Sequence, residues 1–229
     1  MFWIDKWYIL LVLPALLLSM WAQHKVNSTF RQYSGLHNAR GMTGAQAARQ
    51  ILDDHGLHHI AVARTGGELT DHYDPKEQVI RLSNSTYAST SVAAVGVAAH
   101  EAGHAVQHAT GYAPLRLRTA IVPVTRIGSQ ISPFLLLIGL FLGWQPLVEF
   151  GILLFSLAAV FQLVTLPVEY NASRRALATL SSGLLNAEET NGAARVLDAA
   201  ALTYVAALIT SIAQLLRLIL LFGGNRRRD

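Results

Sequence analysis

Four long stretches of the chain hold hydrophobic residues almost without interruption by charge. Three of them contain no charged residue at all, whereas the last contains Gln214 and Arg217. At about 1.5 Å per residue in a helix, the two central stretches match a hydrocarbon core of about 30 Å. The pattern therefore predicts four hydrophobic helices, over residues 7–23, 127–148, 150–168 and 199–222.

The residues that flank the apolar stretches predict how the chain meets a bilayer. Tryptophans stand near both ends of the first stretch, which is typical of a membrane interface. Because no small-x-small cleavage site follows before Asn27, we favour an uncleaved anchor over a signal peptide. The run Gly-Trp-Gln-Pro at 143–146 predicts a turn, so the second and third stretches form a hairpin whose outer ends lie on one side.

One face of the fourth predicted helix is small and polar. Its members follow a spacing of three and four residues: Thr203, Ala207, Thr210, Gln214, Arg217 and Leu221. Arginine within a membrane span usually faces protein or water. Two interpretations stay open. Either this stripe contacts the polar domain, a membrane-protein partner or a second copy of the chain, or Arg217 simply extends to the membrane interface.

The remaining polar residues predict a small α+β domain. Its helices cover 43–54, which ends before Gly56, and 92–110, which Ser89, Thr90 or Ser91 can cap and which ends before Gly111. Between them, short runs with strand character at 60–63, 68–73 and 78–82 predict a small antiparallel sheet or hairpin. The run 78–82 has two interpretations, as an exposed edge that could pair with a substrate strand or as ordinary core sheet.

Composition and charge narrow the classes of protein. Hydrophobic residues make up 52% of the 229 residues and charged residues 14%, against about 25% charged in a typical soluble domain. A disordered chain is thereby excluded, and a membrane protein with a modest polar domain is expected. The net charge of +4 lies largely beside apolar segments and in Arg226–Arg228, which indicates topology signals rather than nucleic-acid binding. Without cysteine, any metal must be held by His, Asp or Glu.

The run His100-Glu101-Ala102-Gly103-His104 lies within the predicted helix 92–110. Histidines four residues apart on a helix project only about 40° apart, so both imidazoles can bind one ion. Glu101 lies on the adjoining flank, where it can take a proton from a water molecule that the metal activates. Small neighbours such as Ala102 and Gly103 permit close packing, which would make an unused glutamate costly. The run therefore predicts one zinc ion per chain, with Glu101 as the catalytic base.

A catalytic zinc site needs a third protein ligand. Glu169 follows the third apolar stretch on the side of the membrane that the motif occupies, and it opens the polar run 169–175. His108 lies one turn beyond His104, but three successive turns of one helix would strain a tetrahedral site. We favour Glu169, with His108 as the other candidate and a carboxylate that merely ends the span as the alternative for Glu169.

Two blocks of sequence, VAAHEAGHAVQHATGYAPLRLR and LPVEYNASRRAL, resemble in this order the YugP-like neutral zinc metallopeptidases, a family of bacterial membrane proteins of the gluzincin type. The resemblance covers nearly the whole chain. More distantly, the chain is similar to membrane stress peptidases and prenyl-protein proteases, whose third ligand is the Glu of an E-x-x-x-D motif. The resemblance implies His100, His104 and Glu169 as zinc ligands and Glu101 as the base.

One residue departs from the pattern of the distant relatives. They carry Asp four residues after the ligand Glu, where it orients a ligand histidine, whereas this chain has Ser173. A serine can accept from an imidazole N–H, but without the charge of a carboxylate. The donor that would stabilise an oxyanion stays open among four candidates, Tyr170, His108, Arg174 and Arg175.

Together these features predict a mainly α membrane protein, with about four hydrophobic helices and a small α+β gluzincin-like zinc peptidase domain carrying the HExxH helix. The predicted function is a zinc-dependent endopeptidase that hydrolyses membrane or misfolded proteins. The alternative is an inactive zinc-binding membrane scaffold, whereas a transporter is disfavoured because the hairpin lacks charge. The predicted segments are an anchor at 1–23, a metallopeptidase domain at 24–118, a hairpin at 119–168, a helical segment at 169–198 and a fourth helix with a basic tail at 199–229.

Basic residues predict the orientation of a multi-pass protein in a bacterial inner membrane. On the side of the polar domain, eight lie near membrane ends: Lys25, Arg31, Arg40, Arg116, Arg118, Arg174, Arg175 and Arg195. The other side has Lys6 and, if the fourth helix spans, Arg226–Arg228. Because positive residues concentrate in cytoplasmic loops, this distribution favours a cytoplasmic catalytic domain.

Overall fold

A computed structural model describes residues 4–223 and divides them into two compact units. One, here called the apolar unit, comprises residues 4–22, 117–166 and 202–223. The other, the polar unit, comprises residues 23–116 and 167–201. The predicted basic tail at Arg226–Arg228 lies outside the described residues.

Four helices among the described residues are long and apolar enough to cross a membrane, which confirms the number predicted. A π-helical turn, Tyr8–Val12, leads into α1, and a second one, Leu180–Leu184, follows α6. Each of the four helices is longer than the apolar stretch that predicted it, because it continues into polar sequence. Their bounds are Leu13–Ser34 for α1, Ala113–Leu142 for α5, Gln145–Thr179 for α6 and Ala187–Phe222 for α7.

The predicted turn between the second and third hydrophobic helices is present at Gly143 and Trp144. Gly143 has a φ of +62°, which glycine adopts without steric cost, and the Trp144 N–H donates to the Gly139 carbonyl at 2.8 Å. Glycines also permit the two helices to pack closely, since a Cβ added at Gly139 would lie 2.7 Å from a Val148 side-chain carbon. Within the apolar unit, α5 and α6 therefore pack tightly through small residues, as membrane helices commonly do.

Arg217 is paired within the apolar unit. Its Nε and Nη2 donate to Oδ2 of Asp5 at 2.9 and 2.7 Å, while Oδ1 of Asp5 accepts the backbone N–H groups of Trp7 and Tyr8. Thr210, another member of the predicted polar stripe, lies 3.0 Å from the Ser19 hydroxyl of α1. These two members of the stripe thus contact the N-terminal segment of the same chain, a partner that neither interpretation of the sequence included.

The two helices predicted at 43–54 and 92–110 are present, and one short helix was not predicted. Helix α2, Gly44–Asp54, begins with a capping box in which Thr43 and Gln46 each accept the backbone N–H of the other. Its apolar face is buried, formed by Ala47, Ala48, Ile51 and Leu52. Helix α3 is a single turn, Asn84–Tyr87. Helix α4, Val92–Ala109, is capped by Ser91, whose hydroxyl accepts the Ala94 N–H at 3.2 Å. Helices α2 and α4 share one hydrophobic core.

The sheet is mixed, which corrects the prediction of an antiparallel one. Its order is β1-β3-β2, with β1 at Ala61–Arg64, β2 at His72–Asp74 and β3 at Val79–Leu82. Strand β2 pairs antiparallel with β3, but β1 pairs parallel with it. Strand β3 is therefore the middle strand, and the interpretation of 78–82 as an exposed edge is wrong. The central position of β3 follows from its apolar side chains, since Val79, Ile80 and Leu82 are all buried.

Candidate metal centre

Helix α4 contacts the part of α6 that belongs to the polar unit, and the contact is at Gly103 of α4. A Cβ at this position would lie 2.6 Å from the backbone oxygen of Ala172 in α6, closer than real Cβ contacts allow. The absence of a side chain on Gly103 thus lets the backbones of α4 and α6 approach one another. As a result the motif residues of α4 lie against the turn of α6 that contains Glu169.

Three side chains converge at this contact. Oε2 of Glu169 lies 3.3 Å from Nε2 of His100 and 3.4 Å from Nε2 of His104. One ligand atom from each residue lies within 4.8 Å of the others, and in the described part of the chain this is the only such group of three His, Asp or Glu residues. The Glu169 side chain is only 3% exposed and the imidazoles are 14% and 13% exposed, so the cluster is shielded from bulk water.

The two separations from Oε2 of Glu169 fit ligands around one zinc ion. Atoms bound tetrahedrally to zinc at about 2.0–2.1 Å lie about 3.3–3.4 Å from one another. A direct hydrogen bond between a charged imidazole and a carboxylate would be shorter, about 2.7–2.9 Å. Two imidazole nitrogens and one carboxylate oxygen are also a donor set typical of catalytic zinc. The residues present therefore fit the metal that the motif predicts.

Hydrogen bonds at the far ring nitrogens orient both imidazoles. Nδ1 of His100 lies 3.0 Å from the Ser173 hydroxyl, and Nδ1 of His104 lies 3.0 Å from Oε1 of Gln107. With Nδ1 engaged in each ring, Nε2 is the atom that faces Glu169 and that could bind a metal. Ser173 thus lies beside a histidine of the motif.

The electrostatics of the centre favour a cation. Burial by itself lowers the pKa of His104, but the nearby carboxylates of Glu169 and Glu101 and the Gln107 side chain outweigh burial and raise this pKa above its usual value. The Glu101 side chain is itself buried, at 9% exposure. Two carboxylates in a shielded site stabilise positive charge at the imidazole nitrogens, as they would stabilise a divalent ion.

The other candidate residues take different positions. His108 is exposed and lies outside the group of three, with its Nδ1 3.0 Å from the Tyr73 hydroxyl. Tyr170 and Arg174 are exposed. Nε of Arg175 donates to Oδ1 of Asn171 at 2.9 Å. The structure therefore brings together His100, His104, Glu169 and Ser173, and it separates His108 from the ligand atoms.

Sequence reasoning missed two residues of the centre, Gln107 and Asn171. The Gln107 side chain is completely buried, and its Nε2 donates to Oδ1 of Asn171 at 3.0 Å. The only signal in the sequence was an amide three residues after His104, on a helix otherwise rich in small apolar residues. Such a position is often exposed, so its role depends on the packing of α6 against α4.

Comparisons with known proteins found a matching protein family and a similar protein. Residues 8–223 match a protein family described as "putative neutral zinc metallopeptidase". The chain is 49% identical over 220 residues to a Bacillus subtilis (strain 168) protein named "putative membrane protease YugP", an alignment that covers 96% of this chain and 98% of that protein. No solved structure was found to match the chain. The chain thus belongs to this family, which confirms the resemblance drawn from its two motif blocks.

Proposed function

We propose that this chain is a membrane-embedded, zinc-dependent endopeptidase of the gluzincin type that hydrolyses peptide bonds of membrane or misfolded proteins. The observation that carries the proposal is the buried cluster of His100, His104 and Glu169, whose Nε2–Oε2 separations of 3.3 and 3.4 Å fit one zinc ion. Membership of a zinc metallopeptidase family supports it independently.

In this proposal each residue has a defined task. His100, His104 and Glu169 would hold one zinc ion, with neutral imidazoles binding through Nε2. Bound zinc supplies a Lewis acid that lowers the pKa of water to about 7. The Glu101 carboxylate accepts the proton of the attacking water and then delivers it to the amine of the departing peptide. Tyr170, His108, Arg174 and Arg175 remain candidates for the donor to the oxyanion.

The ligand number favours an enzyme over a zinc-binding scaffold. A structural zinc site is closed by four protein ligands, whereas a catalytic site uses three and keeps one position for water or substrate. The cluster here contains three. His108, which could have closed the site, pairs instead with the Tyr73 hydroxyl at 3.0 Å.

Metal removal tests the proposed function. Purified protein in detergent should contain about one zinc per chain and cleave an unfolded protein such as reduced casein. Dialysis against a chelator should abolish cleavage, because the Lewis acid is lost, and stoichiometric zinc should restore it. Zinc content and peptide release would be measured on the same sample. A protein that holds zinc and never cleaves would support the scaffold instead.

We further propose that the protein lies in a bacterial inner membrane with its polar unit in the cytoplasm. Because the chain has no cysteine, single cysteines can report the side of the membrane. A membrane-impermeant maleimide should label Trp144→Cys, at the turn between α5 and α6, in intact spheroplasts. It should label Glu68→Cys, in an exposed loop of the polar unit, only after permeabilisation. The reverse pattern would place the polar unit outside the cytoplasm.

A further inference from the structure

Gln107 is a fully buried polar side chain that joins helices α4 and α6. Its exposure is 0%. Oε1 faces Nδ1 of His104 at 3.0 Å, and Nε2 donates to the Val168 carbonyl at 2.8 Å and to Oδ1 of Asn171 at 3.0 Å. A buried amide is costly unless its groups are hydrogen-bonded. Here both ends of the amide are engaged, one by each helix.

The neighbours of Gln107 determine which way its amide points. A backbone carbonyl only accepts hydrogen bonds, so the group facing Val168 must be the NH₂. Oδ1 of Asn171 also accepts from Nε of Arg175 at 2.9 Å, and an arginine only donates. The oxygen of Asn171 is thereby oriented toward Gln107 and Arg175. It follows that the oxygen of Gln107, not its nitrogen, faces His104.

This orientation selects one tautomer of His104. Because Oε1 of Gln107 only accepts, Nδ1 of His104 must carry the proton, and the lone pair of the neutral ring then lies on Nε2. Nε2 is the atom 3.4 Å from Oε2 of Glu169. The partner of His100 is different, since the Ser173 hydroxyl can either donate or accept. The tautomer of His104 is therefore fixed by its partner, whereas that of His100 is not.

The same amide also positions the third ligand. Val168 and Asn171 bracket Glu169 on one turn of α6. Asn171 also accepts from Arg175, which ends this chain of hydrogen bonds. The guanidinium of Arg175 lies 6.0 Å from the ring centroid of Tyr112. Through Gln107, one imidazole of the motif is connected to the helical turn that carries the carboxylate. A rotation of either group would break a buried hydrogen bond.

We propose that Gln107 is a positioning residue of the metal centre. It holds His104 in its metal-binding tautomer and fixes the position of this imidazole relative to the turn of α6 that carries Glu169. The inference rests on the zinc site of the proposed function. Partners of this kind contribute about 10- to 100-fold to metal affinity in known metalloproteins. We expect a contribution of that size from Gln107.

The test is the zinc affinity of Gln107→Met, measured by competition with a chromophoric chelator. Methionine fills a similar volume, accepts only weakly from His104 and cannot donate to α6. We expect its zinc dissociation constant to rise about 10- to 100-fold. Gln50→Met, the same change at an exposed position of α2, should keep the wild-type value. The unfolding temperature of each metal-free protein separates a loss of fold from a loss of affinity.

A second pair of variants keeps the inference testable if Gln107→Met fails to fold. Asn171→Asp retains an acceptor for both Gln107 and Arg175 and should keep zinc affinity within a few fold. Asn171→Leu removes that acceptor and should weaken affinity about 10-fold or more. Equal zinc affinity in Asn171→Leu and Asn171→Asp, or wild-type zinc affinity in Gln107→Met, would overturn the role of Gln107. Either result would leave the proposed function intact. A wild-type protein that binds no zinc would overturn both the inference and the proposed function.

Discussion

Replacement of Glu101 by glutamine is expected to abolish peptide hydrolysis while zinc stays bound. Glutamine preserves the size of the side chain but cannot accept the proton of the attacking water. Glu101 lies outside the three-residue cluster of His100, His104 and Glu169, so the ligand set is unchanged. Loss of a general base costs about 10²- to 10⁴-fold in rate, and we expect an effect in this range on peptide release.

The measurement compares cleavage rate with zinc content in the same preparation. Glu101 is 9% exposed, so a neutral amide at this position also tests whether the buried charge is needed for folding. A matched control is Glu68→Gln, the same change at an exposed glutamate, which should keep the wild-type rate. Full activity in Glu101→Gln would exclude Glu101 as the base. Loss of zinc would instead indicate a role in holding the metal.

The sequence predicted those parts of the fold that depend on signals within a single segment of the chain. Apolar length predicted the four long helices, and caps and spacing predicted α2 and α4, because these signals lie within each segment. The parallel pairing of β1 with β3 has no such signal. The short turn at residues 75–78, between β2 and β3, specifies only the antiparallel pairing of these two strands. Similarly, the pair formed by Asp5 and Arg217 joins residues 212 positions apart, and no periodicity connects them.

The candidate site likewise contains residues that a local pattern predicts and residues that only tertiary packing reveals. The spacing of His100, Glu101 and His104 predicted two metal ligands and a base on one helix. The prediction of Glu169 depends on which end of the α5–α6 hairpin lies beside the motif. Residue types alone leave His108 as the other candidate for the third ligand. No sequence pattern identifies Gln107, because its hydrogen bond to Asn171 joins residues 64 positions apart. Only the packing of α4 against α6 shows that this amide is buried between two elements of the metal centre.

Replacement of Glu169 by alanine is expected to remove zinc, whereas His108→Ala should retain it. Oε2 of Glu169 lies 3.3 and 3.4 Å from the two imidazole nitrogens, and its loss would leave only two protein ligands. Two imidazoles do not complete the three-ligand set of a catalytic zinc site. After dialysis against a weak chelator, the zinc content of Glu169→Ala should fall from about one per chain to near zero.

His108→Ala is the matched control, because it removes the one other residue that the sequence offered as a third ligand. Its Nδ1 is 3.0 Å from the Tyr73 hydroxyl, so its loss should affect that contact and leave zinc at the wild-type level. Elemental analysis of both variants, with the unfolding temperature as a check on folding, decides between the two candidates. Zinc retained by Glu169→Ala and lost by His108→Ala would reassign the third ligand. That result would also require α4 alone to supply all three ligands, against the separation of His108 from the cluster.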